Sequence, residues 1–90
     1  MTARTGDFAR SKSGHDKDEI YVVIGSGERD VYLSDGRLKP VERPKRKNIK
    51  HIQPINNVPE DIKLTCYQNE KFYNEGIKKA IKDYKHKIDN

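Results

Sequence analysis

The longest unbroken apolar run in this chain is five residues, Ile20-Tyr-Val-Val-Ile24, and that limit constrains the fold more than any other feature. A membrane-spanning helix needs roughly 20 apolar residues. An amphipathic helix spaces its apolar side chains three and four apart rather than in a block. A short block of β-branched and aromatic residues suits a buried strand instead. Turn material bounds it on both sides, Gly14-His-Asp-Lys-Asp-Glu19 ahead and Gly25-Ser-Gly27 behind, since glycine and aspartate supply the conformations tight turns use. Weak alternation predicts a first strand over 7–12 and a clearer one over 30–34, with Val31 and Leu33 on one face and Tyr32 on the other. Asp35-Gly36 follows directly. An Asp-Gly pair between extended segments signals a hairpin because the turn demands positive φ, so Arg37 to Val41 is the expected partner strand. Pro40 and Pro44 cannot donate to a ladder. They place 40–47 at an edge or in a loop, with Lys45, Arg46 and Lys47 in solvent, before Ile49 and Ile52 return the chain to the core.

Four or five short strands without helices between them predict a mainly β chain, a small barrel over residues 7–54. Val22, Ile24, Val31, Leu33, Leu38, Val41, Ile49 and Ile52 are its expected core, and residues 1–6 are expected to be disordered. Residues 55–59 read as a linker and 60–90 as a helical tail. Proline and acids at Pro59-Glu-Asp suit a helical first turn, giving a short helix over 60–67. From Asn74 a stripe of Ile77, Ile81, Tyr84 and Ile88 predicts a helix over about 74–88, with Asn74 as its N-cap. Gly76 weakens its start by ~1 kcal/mol relative to alanine. With 90 residues, 32% of them hydrophobic, there is apolar material for one small core. The single cysteine, Cys66, excludes an internal disulfide, and three separate histidines lack zinc-ligand spacing. No metal or cofactor is expected, a reducing cytoplasmic setting fits best, and the first residues lack a signal peptide's apolar core.

Charge is distributed unevenly. The chain carries 19 Lys and Arg against 14 Asp and Glu, a net +5, yet Gly36 to Ile52 alone holds seven cations (Arg37, Lys39, Arg43, Lys45, Arg46, Lys47, Lys50) against one acid, Glu42. More than the whole net charge therefore lies in one segment, and a polyanion is the implied partner. Exposed Lys and Arg neutralise phosphates without reading a base. Lys12, His15 and Lys17 on the preceding turn extend the same surface, and His51 alternates with the inward Ile52. Tyr21 and Tyr32 could offer stacking faces, although tyrosines in short strands more often cover a core. Lys78, Lys79, Lys82, Lys85 and Lys87 form the polar side of the terminal helix, whose plainer reading is a solvated face.

Two stretches carry a family resemblance. SKSGHDKDEIYVVIG resembles the KOW element, a strand, a Gly-x-Asp-Lys turn (Gly14 to Lys17) and a hydrophobic strand; YLSDGRLKPVERPKRKNIKHIQP is similar to the family's later half. Residues 7–54, about half the chain, are covered, and the resemblance is in particular to the single-barrel ribosomal proteins of the archaeal and eukaryotic large subunit and their short bacterial relatives. The family often has glycine after the turn lysine, where this chain has Asp18. The resemblance implies an SH3-like barrel that binds structured RNA, commonly ribosomal, and performs no chemistry. The expected partners are then ribosomal RNA and ribosomal proteins, with no membrane, and a monomer when free. The alternative is an SH3-like protein-interaction module, since such barrels host many functions. Nothing in the sequence supports catalysis: Cys66 has no histidine near it in sequence, and no phosphate-binding glycine loop is present.

Overall fold

The computed structural model describes residues 3–88. In chain order the elements are β1 (Phe8–Ser11), β2 (Ile20–Ser26), β3 (Asp30–Ser34), β4 (Lys45–Asn48), a 3-10 turn (Ile49–His51), β5 (Ile52–Ile55), α1 (Glu60–Leu64), β6 (Tyr67–Gln68), β7 (Lys71–Phe72) and α2 (Asn74–Ile88). The fold is mainly β. Five antiparallel strands form one sheet in the order β4-β3-β2-β1-β5, and β6 and β7 make a separate two-stranded ribbon. In a flat sheet the edges β4 and β5 would lie four strand spacings apart, roughly 19 Å. A three-residue 3-10 turn rises only about 6 Å, yet it joins them, so the sheet must curl strongly at that end.

Both faces of the sheet are buried. Strand periodicity sends Ile20 and Val22 one way and Tyr21 and Val23 the other. The first pair joins Phe8 in a core with Val58, Ile62, Cys66, Ile77, Ala80, Ile81 and Tyr84. The second joins Ala3, Ala9, Val31, Leu33 and Ile52. A register shift between Val23 and Gly25 bends β2 at Ile24. The helix α2 therefore lies against the sheet, with the Phe8 and Tyr84 rings edge to face at 5.8 Å. Gly76 lets the start of α2 lie against the end of α1: a Cβ there would collide with the Thr65 carbonyl oxygen and the Tyr73 ring.

Several expectations are corrected. Residues 37–41 form no strand. The Asp35 carboxylate accepts hydrogen bonds from the backbone N–H of Arg37 (2.8 Å) and Lys39 (2.9 Å), which winds the segment into a loop and leaves Leu38, expected in the core, 77% exposed. Gly36 does adopt positive φ, +75°, and a Cβ there would meet the Asn74 carbonyl at 2.3 Å. Besides β2, the strand that pairs with β3 is β4, the basic run itself, with Leu33 opposite Lys45 and Val31 opposite Lys47. Residues 3–6 are not loose: Ala3 is buried and the Gly6 N–H donates to the Val23 carbonyl at 2.8 Å. Residues 1–2 lie outside the described residues. Ile24, Val41 and Ile49 are only partly buried. Ile55 belongs to β5 rather than a linker, and α1 ends at Leu64. Asn74 does not spend its carboxamide on its own helix; it accepts from Val41 N–H and donates to Glu42, both at 2.8 Å, and so ties the 35–44 loop to α2.

Candidate nucleic-acid interface

Ser11 ends β1, and the turn to β2 is closed by its own backbone. The Lys17 N–H donates to the Gly14 carbonyl (3.2 Å), Glu19 to Asp16 (2.9 Å) and Asp18 to Ser11 (2.8 Å). Gly14 has φ +88° and Asp18 φ +74°. Aspartate is among the few non-glycine residues that enter this left-handed region readily, so Asp18 keeps the shape a glycine would give. The turn leaves Lys12, His15 and Lys17 exposed and directs Asp16 inward.

The basic run meets this carboxylate. Because alternate strand residues face opposite ways, β4 splits its three cations. Lys45 and Lys47 reach Asp16, at 3.2 Å and 2.7 Å, while Arg46 turns out to Asp30 at 2.9 Å with its side chain 70% exposed. The Lys47 side chain is only 10% exposed and the Asp16 side chain 11%. The Lys47 ammonium also donates to Ser11 Oγ (2.6 Å) and the Ser13 carbonyl (2.8 Å). Ser11 Oγ and the Tyr21 hydroxyl donate to the remaining Asp16 sites at 2.9 Å and 3.0 Å. The expectation that 45–47 lies together in solvent thus fails for Lys47, whose charge is consumed inside the protein. Tyr21 is buried and bound to Asp16, which excludes it as a stacking face; Tyr32 is 38% exposed.

Burial alone would raise the pKa of Asp16, but hydrogen bonds from Lys47, Ser11, Lys45 and Tyr21 outweigh it and hold the carboxyl well below the usual range. Burial, then the bond to Asp16, pushes the Tyr21 phenol up. As pH falls, an unfolded chain takes up the Asp16 proton before the folded one does. The stabilisation is therefore complete above about pH 4 and lost on acidification below it. Asp16→Asn should flatten the acid limb of Tm against pH; an unaltered limb would show that other carboxylates govern it.

The structure gathers part of the expected site. Lys12 and His51 are neighbours, the Lys12 N–H donating to the His51 carbonyl at 2.8 Å. Lys50 is exposed on the 3-10 turn, which the Asn48 side chain caps by accepting from Lys50 N–H at 3.0 Å. Lys12, His15 and Lys17 thus stand on the turn that carries Asp16, Lys50 and His51 on the 3-10 turn joined to it at Lys12, and none of the five has an ion pair among the described residues. Arg37, Lys39 and Arg43 belong to the 35–44 loop instead; Arg37 and Arg43 are exposed, Lys39 half-buried. Of Ser11, Asp16 and Tyr21, which organise the site, only Asp16 carries a sequence signal for this role, as the aspartate of the Gly-x-Asp-Lys turn. Cys66 is a buried core side chain whose thiol is pushed up to about 12 by burial. Among the described residues no cluster of His, Cys, Asp and Glu could hold a metal ion, and no helix is long and apolar enough to cross a membrane. In comparisons with known proteins, no family model and no curated sequence matches the chain.

Proposed function

We propose that this protein is a KOW-type RNA-binding protein that grips phosphates at the end of its sheet, where the β1–β2 turn meets the 3-10 turn before β5. The observation that carries this reading is the set of cations without ion pairs on two joined turns, one of which holds a carboxylate that is already satisfied. Asp16 is occupied by Lys45, Lys47, Ser11 and Tyr21, so it cannot neutralise Lys12, Lys17 or Lys50, which stand in solvent on segments held by backbone hydrogen bonds. Cations on a rigid frame favour a polyanion, because little conformational entropy is lost on contact. The SH3-like barrel implied by the resemblance is supported by the sheet order and by the short 3-10 link between its two edges. Structured RNA, ribosomal RNA first, is the partner class we infer, with ribosomal proteins as neighbours.

Changing Lys12, Lys17 and Lys50 together to alanine should leave Tm nearly unaltered, since exposed substitutions stay within about 0.5 kcal/mol. The slope of log affinity for a labelled stem-loop RNA against log salt should flatten by about 2 to 3, at roughly 0.7 to 0.9 per lost phosphate contact. A wild-type slope in the triple variant would place the RNA surface elsewhere. Crosslinking in cells followed by RNA sequencing identifies the RNA, and enrichment of no RNA class would overturn the reading.

A further inference from the structure

A second basic feature lies beside the end of the β1–β2 turn. Between that turn, the 35–39 loop and α2 runs a groove of about 660 Å³, within the size range of ligand-binding clefts. The buried Ile20 and Ile81 form its floor, and Arg37 from the loop and Lys82 and Lys85 from the helix line it. Lys78, Lys82 and Lys85 recur at +4 and +3, so they make one stripe over about 10 Å of helix axis. Lys78 is already engaged with Glu75 at 2.6 Å, and Lys79 belongs to another face, paired with Asp83 at 3.0 Å. Arg37, Lys82 and Lys85 are exposed and have no ion pair among the described residues. Of the two acids at the groove, Asp35 already accepts from two backbone N–H groups, while the Glu19 side chain has no ion pair among the described residues.

We infer that this groove carries a single-stranded stretch of the same RNA, with phosphates on Arg37, Lys82 and Lys85 and a base against the apolar floor. The inference rests on the RNA reading above. Two features select RNA over an acidic protein. Arg37, Lys82 and Lys85 line the groove over a small apolar surface of lysine stems and the outer edges of the buried Ile20 and Ile81, and a basic groove that tracks the backbone is what sequence-tolerant single-strand binding uses. The groove also adjoins the first site: Glu19 lines it and Lys17 lies two residues earlier on the same turn, so one strand can pass from one to the other.

The test uses the full chain and a fluorescein-labelled oligouridylate, with Lys82→Gln/Lys85→Gln and Glu19→Gln as variants. The lysine pair should flatten the salt slope by about 1.4, at roughly 0.7 per contact for single strands, with an unchanged circular dichroism melt. Glu19→Gln should tighten binding, because it removes the groove's unpaired acid. Oligoglutamate of equal charge should fail to displace the RNA. If the wild-type chain binds the stem-loop and the lysine pair keeps the wild-type oligouridylate slope, the groove inference falls and the first site stands. If the wild-type chain binds neither RNA, both fall. Displacement by oligoglutamate, lost in the lysine pair, would make the groove a protein-binding surface and overturn the inference.

Discussion

Ending the chain after Ile55 should abolish cooperative folding, with loss of the dispersed amide spectrum and aggregation at concentrations where the full chain is soluble. The composition change at Pro54 reads as a boundary between a self-sufficient barrel and an appendage, but the packing contradicts it. Val58, Ile62, Ile77, Ile81 and Tyr84 share one core with Phe8, Ile20 and Val22. Burying each large apolar side chain is worth about 1.5–3 kcal/mol, so the five together are comparable with the whole stability of a small domain, about 5–15 kcal/mol. Truncation would also leave Phe8 and Val22, both wholly buried, facing water on a sheet without its cover. A truncated chain that melts cooperatively near the full-length Tm would show that the second core, with Leu33, Val31 and Ile52, suffices alone.

Replacing Lys45, Arg46 and Lys47 with alanine should destabilise the protein by about 3 kcal/mol and lower Tm by about 12–24 °C. Read as an exposed proline-bounded loop, this run has no part in folding and its loss should weaken RNA binding alone. In the structure its removal strands Asp16, a carboxylate whose side chain is only 11% exposed, with Ser11 and Tyr21 as its remaining partners. Removing one side of a buried pair costs about 3–5 kcal/mol; the residual hydrogen bonds and partial exposure bring the expected value toward the lower figure. Arg46→Ala alone supplies the control, since its side chain is 70% exposed and exposed ion pairs contribute about 0–1 kcal/mol. Thermal melts of the triple, of Arg46→Ala and of Lys47→Ala separate the contributions. A triple variant as stable as the wild type would mean that the Asp16 cluster adds nothing to folding.

The two outcomes differ from first expectation for one reason. Strand periodicity says that Lys45 and Lys47 share a side, but not that a carboxylate 31 residues away from Lys47 waits there. The same holds for Asp35. The pair Asp35-Gly36 announces a turn, and Gly36 takes the positive φ that this demands. Whether the turn opens a two-residue hairpin or a longer loop depends on a competition that the pair alone does not settle: the Asp35 carboxylate takes the Arg37 and Lys39 N–H groups locally, and the distant Asn74 closes against Gly36.

What the sequence determines by itself is local. The block Ile20 to Ile24 specifies a strand because β-branched side chains suit a pleated, buried surface, and Gly14 to Lys17 specifies a turn. The spacing of Ile77, Ile81 and Tyr84 specifies an amphipathic helix, because 3.6 residues per turn place them on one side. Concentration of cations between Gly36 and Ile52 is likewise a property of the chain. Tertiary structure alone decides which of those cations remain available to a partner. Burying a lysine without an opposite charge costs too much to persist, so Lys47 entered the interior only because folding brought Asp16, Ser11 and Ser13 to meet it. Lys12, Lys17 and Lys50, which met no such group, kept their charge at the surface.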